Sequence, residues 1–366
     1  MALHFRKLLL YGCLFLLTAA MARAQIRTVL VSPTPGNPAA SGTTLRNALA
    51  AIPSPSSMDR WLVKIEPGIY DIGTTPLPMR SWVDIEGSGI GVTTIHGSVD
   101  SSSDGTINGA DNAELRFLTV EAQSNSAIAI ANTAAASPRL YRLKIVVTAP
   151  NAWGIRNVSS APVIEECEIY VTGTGAANTI ATGILFKLFP PTGIRSSILR
   201  TKLVVSGATT NYGINLLNAQ TVTLIRDSRI DVAGGTTTYG ISATPNGSWP
   251  GQENLQIRDS EISSYGGGSA SYGIRFDTST SVSLDISTSK VWGHISPTTY
   301  GILQLGTSPI GLQGASVTGF TQTIQTAGSV SIQSTLLNGG PATASGWLGC
   351  MGVWDENGVF YTNSCP

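Results

Sequence analysis

Two phrases decide the fold: Ile225-Arg226-Asp227-Ser228-Arg229-Ile230, and its echo Ile257-Arg258-Asp259-Ser260-Glu261-Ile262. Between and around them recurs aromatic-Gly-Ile, in Trp153-Gly154-Ile155, Tyr212-Gly213-Ile214, Tyr239-Gly240-Ile241, Tyr272-Gly273-Ile274 and Tyr300-Gly301-Ile302, with Thr182-Gly183-Ile184 as a variant. The spacing is about 27 residues. A fixed period of this length marks stacked units.

Aligning the strand phrases outward in both directions gives three columns. The first runs Leu115, Leu140, Ile164, Ile198, Ile225, Ile257, Ile286, Leu312, Ile332. Five residues further on comes Val120, Ile145, Ile169, Leu203, Ile230, Ile262, Val291, Val317, Leu337. At plus three sits Leu118, Leu143, Cys167, Thr201, Ser228, Ser260, Ser289, Ala315, Thr335, which turns small where the chain must bend. Polar residues alternate with these, a period of two that reads as strand. Each unit is too short for a βαβ crossover, and Gly, Asn, Ser and Thr fill the gaps as turn chemistry requires. The expectation is an all-β, single-stranded right-handed parallel β-helix of about 11 coils, three short strands to a coil, forming a rod roughly 50 Å long at the strand spacing. Buried aliphatic side chains at roughly 1.5–3 kcal/mol each oppose backbone ordering at roughly 1–2 kcal/mol per residue, so only a run of coils is stable.

The ends read differently. Arg6 and Lys7, the apolar run Leu8 to Ala20, and Ala22-Arg23-Ala24 before Gln25 predict a signal peptide over 1–24. That apolar run is too short to span a membrane. Export to a secreted or periplasmic location follows. Residues 25–42 read as leader, and 43–340 as the β-helix domain. Its capping helix covers Thr43 to Ile52, with Leu45, Ala48, Leu49 and Ile52 on one face and Ser41 or Thr43 at the cap. Residues 341–366 read as a C-terminal cap, in which Cys350 and Cys365 are expected to pair. Cys167 reads as a small buried residue.

The segment Thr44-Leu45-Arg46-Asn47-Ala48-Leu49, Val63-Lys64-Ile65-Glu66-Pro67-Gly68-Ile69-Tyr70, Val83-Asp84-Ile85-Glu86-Gly87-Ser88-Gly89 and Thr93-Thr94-Ile95-His96-Gly97 resembles the opening of pectin-lyase-like right-handed parallel β-helix proteins, pectin methylesterases above all. Later coils resemble generic repeats of the NosD-like kind. The resemblance implies the fold. The esterase family's catalytic aspartate phrases are missing, as are the polygalacturonase and pectate-lyase signatures, so it supplies no catalytic residue.

The chain has 366 residues, 40 glycines, 12% charged residues and a formal net charge of zero. Without a basic run, phosphate-driven nucleic-acid binding is not expected. Outward charges stand in register, and Glu166 with Arg200, Arg200 with Asp227, and Lys144 with Glu168 are expected to pair. A basic face of Lys202, Arg226, Arg229 and Arg258 is the alternative use of the same positions. Asp227 and Asp259, one coil apart, could serve as a carboxylate pair or, with Asp231, as calcium ligands. His96 and His294 read as turn residues. Asn157-Val158-Ser159 and Asn246-Gly247-Ser248 fit glycosylation acceptors. Trp153, Tyr212, Tyr239, Tyr272 and Tyr300 form a row that either lines a corner of the core or, if the chain bends at Gly, turns outward as a flat stripe for sugars. Strict alternation places Tyr and Ile on one side and favours the core. The functional expectation is non-catalytic binding of a polysaccharide or cell-surface glycan by a monomer without cofactor or metal. The alternatives are a pectinesterase-like enzyme or polysaccharide lyase with a divergent site, and a structural or adhesive rod.

Overall fold

The computed structural model describes residues 25–175, 177–188, 195–217, 222–244, 253–277, 282–362 and 364–366. The signal-peptide stretch and Asn246 lie outside them. Among the described residues, one helix and two sheets account for the regular structure: a 24-stranded sheet carrying two strands of each coil, and an 11-stranded sheet carrying the third. Every pairing between coils is parallel; the antiparallel pair is the terminal hairpin, Val353↔Tyr361 and Trp354↔Phe360.

The aliphatic columns stack residue on residue. In the first, Leu115 pairs with Leu140, Leu140 with Ile164, Ile164 with Ile198, Ile198 with Ile225, Ile225 with Ile257 and Ile257 with Ile286. The column extends to Ile85, Val63 and Val29 at one end and to Cys350 at the other. The second column is equally regular from Tyr70 and Ile95 to Leu337. The isoleucines of the aromatic-Gly-Ile phrases make a third, on the smaller sheet, from Ile107 to Ile324. All face one continuous core.

The bend between the two strand columns falls one residue before the small column. Arg142, Glu166, Arg200, Asp227, Asp259, Thr288 and Ser334 adopt left-handed φ values of 47–53°. This conformation turns the chain and points their side chains out. From Arg200 onward, each of these corners is followed by a residue that folds inward as a hydroxyl. Ser228 Oγ donates to the Arg226 carbonyl (2.8 Å) and accepts the Thr201 N–H (3.1 Å). Ser260 Oγ donates to the Arg258 carbonyl (2.7 Å) and accepts the Ser228 N–H (3.2 Å), and Ser289 Oγ serves Ser260 in the same way (3.1 Å). At the head of this ladder Thr201 Oγ1 accepts the Cys167 N–H (3.4 Å). The column is small and hydroxylic because every bend leaves an N–H and a carbonyl that need a partner inside the core.

Residues 25–42 are not a loose leader. Gln25–Val31 is a strand, in register with Asp59–Ile65 over seven residues, and the helix runs Pro38–Ala51, five residues longer at its start than the apolar pattern predicts. Asn37 caps it, its Oδ1 accepting the Ala40 N–H (3.0 Å), with proline in the first turn. The apolar pattern begins only where the helix meets the core, so the exposed first turn leaves no such mark. Leu45, Leu49 and Ile52 are buried against the first coils. Tyr70, from the Pro-Gly-Ile-Tyr phrase, is fully buried beneath, its hydroxyl donating to the carbonyls of Val31 (3.0 Å) and Glu66 (3.1 Å). At the far end a Cys350–Cys365 disulfide closes the cap.

Candidate functional site

The tyrosine row faces outward, against the expectation from strict alternation. Asn211 and Ile214 are buried while Tyr212 between them is partly exposed. A Cβ on Gly213 would strike the side chain of Ile230 in the core. Gly213 therefore points in, as does Ile214 after it; Tyr212 and Ile214 pair directly with Tyr239 and Ile241 of the next coil. The bend at glycine breaks the alternation and turns the ring out. Tyr212, Tyr239, Tyr272 and Tyr300 stack with centroids 4.8, 5.1 and 5.5 Å apart and interplanar angles of 7°, 7° and 4°. Trp153 shares the row, with Thr182 standing between it and Tyr212. Because the rings lie face to face, each covers its neighbour's faces and shows solvent an edge. Arg275 clamps the stack, with its guanidinium 5.7 and 5.2 Å from the Tyr239 and Tyr272 centroids. It donates to the Tyr239 hydroxyl (3.1 Å) and to Asp277 (3.1 Å). Burial, reinforced by Tyr239, pushes the Tyr212 hydroxyl up to about 12.

The charged positions form pairs, not all of them the expected ones. Glu166 does pair with Arg200 (3.2 Å) and also with Arg142 (2.5 Å). Arg200 also pairs with Glu165, whereas Asp227 pairs with its chain neighbour Arg226 (3.2 Å). The left-handed corner places Arg200 nearer the two glutamates of the preceding coil. Lys144 and Lys202 flank the ring of Tyr170 at 5.8 and 5.5 Å, on either side of Glu168 in the register. Of the basic residues, Arg229 pairs with Asp231 (2.7 Å) and Glu261 (3.5 Å), and Arg258 donates to Gln256 (2.7 Å). Lys202 and Arg229 line a groove of ≈ 620 Å³ together with Asp227, Asp259, Glu261 and Lys290. Arg226 and Arg258 lie across the corner, in register with each other in adjacent coils. Asp259 accepts from the Thr288 hydroxyl (2.6 Å). Among the described residues no group of three or more His, Cys, Asp or Glu is placed to hold a metal ion.

Next to this groove, sharing Lys290, lies a cleft of ≈ 450 Å³ lined by Lys290, Trp292, His294, Ser316, Thr318, Phe320, Leu336 and Asn338. Register builds it. Lys290, Trp292 and His294 are alternate outward residues of the strand Lys290–His294. The next coil places Ser316 beside Lys290 and Thr318 beside Trp292, with Phe320 following Gly319. The coil after that adds Leu336 and Asn338. His294 is thus a strand residue, not a turn residue. Its ring stands edge-on to Trp292 (6.3 Å, 89°) and 5.5 Å from Tyr265. Burial lowers its pKa, so it is neutral at pH 7. The Lys290 ammonium lies 5.7 Å from the Trp292 ring centroid, with no carboxylate within ion-pair distance among the described residues. Phe320 is 62% exposed. The alternation in Lys290-Val291-Trp292-Gly293-His294 carries the signal for this cleft in the sequence; its other walls come from strands 22 to 48 residues away.

No protein-family model matches the chain, and no curated protein does. Among solved structures, the catalytic unit of a GH87 α-1,3-glucanase from Streptomyces thermodiastaticus superposes with a TM-score of 0.51 at 14% identity, covering 92% of this chain and 67% of that one. The fold is the pectin-lyase-like right-handed parallel β-helix. The A-module of an Azotobacter vinelandii mannuronan C-5 epimerase also matches, with a TM-score of 0.47 at 14% identity, covering 86% of this chain and 95% of that one. At such identity the likeness concerns the β-helix alone.

Proposed function

We propose that this β-helix is an exported polysaccharide-binding protein that seats a sugar chain in the Trp292 cleft without transforming it. The carrying observation is the composition of that cleft: aromatic rings, hydroxyls, an amide and one ammonium, with no carboxylate in its lining. Flat apolar sugar faces match aromatic rings, and sugar hydroxyls match Ser316, Thr318 and Asn338. Glycoside hydrolysis by the usual route requires two carboxyl groups flanking the bond; the carboxylates of the adjoining groove are engaged by Arg226, Arg229 and Thr288. The tyrosine row offers ring edges, which favours Trp292 over that row as the sugar platform in this reading. Lys202 in the adjoining groove would then meet acidic groups on a chain that extends across the coils. The polysaccharide-acting proteins with related folds are consistent with such a ligand, and the disulfide with an oxidising compartment.

The test is affinity electrophoresis against pectin, alginate, xylan and glucomannan, with methanol, reducing ends and unsaturated products assayed in the same mixtures. Retention by at least one polymer without product, reduced about tenfold or more in Trp292→Ala at unchanged melting temperature, is the expected result. Product release would replace this reading with the enzyme; absence of any retention would leave the structural rod.

A further inference from the structure

The end of the rod carries two aromatic residues that the core does not use. Beyond the strand Leu336–Gly339 comes the terminal hairpin, in which Trp354 pairs in parallel with Leu336 and in antiparallel with Phe360. Val353 is fully buried, so the next position along the strand faces out and falls to Trp354. Trp354 is 46% exposed and Phe360 49%. Their ring centroids lie 4.6 Å apart with the planes inclined at 45°, so neither covers the other's face as the parallel tyrosines do.

Register ties this pair to the Trp292 cleft. Leu336 lines that cleft, and one outward row runs Lys290, Ser316, Leu336, Trp354, one residue to a coil. Trp354 thus stands three coils beyond the strand of Trp292, roughly 14 Å at the strand spacing. The hairpin that presents it is held from both sides. The Cys350–Cys365 bridge closes it. Asp355 fixes the turn: its Oδ1 accepts the N–H groups of Asn357 (2.9 Å) and Val359 (2.8 Å), and its Oδ2 accepts the Tyr361 hydroxyl (3.1 Å). Rings held in place before a ligand arrives lose little freedom on binding, and flat aromatic faces suit sugar rings.

We propose that Trp354 with Phe360 is a second sugar platform, and that a polysaccharide seated at Trp292 continues along the rod, over Leu336, to reach it. The consequence is selection by length. A disaccharide occupies one platform; a long chain occupies both, the second contact being intramolecular once the first is made. The inference rests on the polysaccharide-binding reading above.

The test uses the full chain, with xylan, glucomannan, alginate and pectin as polymer probes and the disaccharide prepared from each. Polymer retention is read by affinity electrophoresis and disaccharide binding by saturation-transfer NMR. Trp354→Leu removes the ring and keeps an apolar side chain beside Leu336. It should weaken retention of the preferred polymer about tenfold or more and leave disaccharide binding as in wild type. Reduction of the Cys350–Cys365 bridge should do the same, because it frees the hairpin without touching Trp292. Both proteins should sediment as monomers. Polymer retention by Trp354→Leu equal to wild type would overturn the inference and leave the Trp292 reading standing. A wild-type dimer that Trp354→Leu dissociates would overturn it too, giving the pair to a second copy of the chain. No retention of any probe by the wild type would sink both readings.

Discussion

At the scale of single residues, the stack tolerates little. Ile225 and Ile257 are fully buried, each between column neighbours above and below. Ile257→Asp would put an unpaired carboxylate among them, costing more than the stability of an ordinary domain; the variant should be recovered only as insoluble protein, and a soluble form with a cooperative melt would contradict the column. The hydroxyl ladder gives a finer test. Ser228→Ala removes an acceptor from the Thr201 N–H and a donor to the Arg226 carbonyl, and should lower unfolding free energy by about 1–3 kcal/mol in urea titration. Cys167, wholly buried, has its thiol pushed up to about 12 by that burial, so it stays protonated. It should resist iodoacetamide in the native state and react once the protein unfolds; fast native labelling would mean that the column is open there. Asn157 is 1% exposed, which closes the Asn157-Val158-Ser159 acceptor in the folded chain.

At the scale of elements, the tyrosine stack and the helix are where local order depends on neighbours. Tyr239→Ala with Tyr272→Ala deletes all three face-to-face contacts and strips Arg275 of its partner hydroxyl. At roughly 0.5–1.5 kcal/mol per aromatic pair beyond area burial, the double variant should lose about 2–4 kcal/mol while retention on polysaccharide stays as in wild type. Weaker retention with an unaltered melt would return sugar binding to the stripe. The N-terminal helix is tied to the first coils by Arg46, whose guanidinium donates to the carbonyls of Pro76 (2.6 Å) and Thr75 (2.8 Å), and by Arg80, which donates to the Leu49 carbonyl at the helix end (3.0 Å). It covers the end of a core that a stacked rod would otherwise leave open.

At the scale of the molecule, charge and covalent closure set how the rod responds to its surroundings. Burial pushes Glu86 up, but Arg116 and Lys64 outweigh it and hold its carboxyl below the ordinary 4.5. The Val359 N–H, with Tyr361 and Asn357, holds Asp355 below its ordinary 3.8. Both folded values lie under the unfolded ones, so their contribution is complete above about pH 5 and is lost as pH falls through the folded values. The urea midpoint should therefore be level from pH 7 to 5 and decline below about pH 4, with Asp355→Asn reducing the decline; a midpoint unchanged down to pH 3 would remove these carboxylates from the account. Reduction of the Cys350–Cys365 bridge, which spans 15 residues, should cost about 3 kcal/mol in the chain-entropy picture and first loosen the terminal hairpin.

The sequence by itself determined the coil, its three faces and the stacking of Ile164, Ile198, Ile225 and Ile257, because a burial pattern repeated every coil is written into the order of residues and needs no distant information. It also contained the small column, though not the hydroxyl ladder that explains it, and the Cys350–Cys365 pairing. It left the side of the tyrosines open between core and surface, since one glycine bend reverses the side to which a ring points and alternation alone cannot register that. It misread the first strand and the start of the helix because exposed turns carry no apolar period. Only the tertiary structure assembled the walls of the Trp292 cleft. Phe320 and Asn338 lie far along the chain from the strand that bears Lys290, Trp292 and His294, and parallel stacking, with its fixed register from coil to coil, makes them one surface.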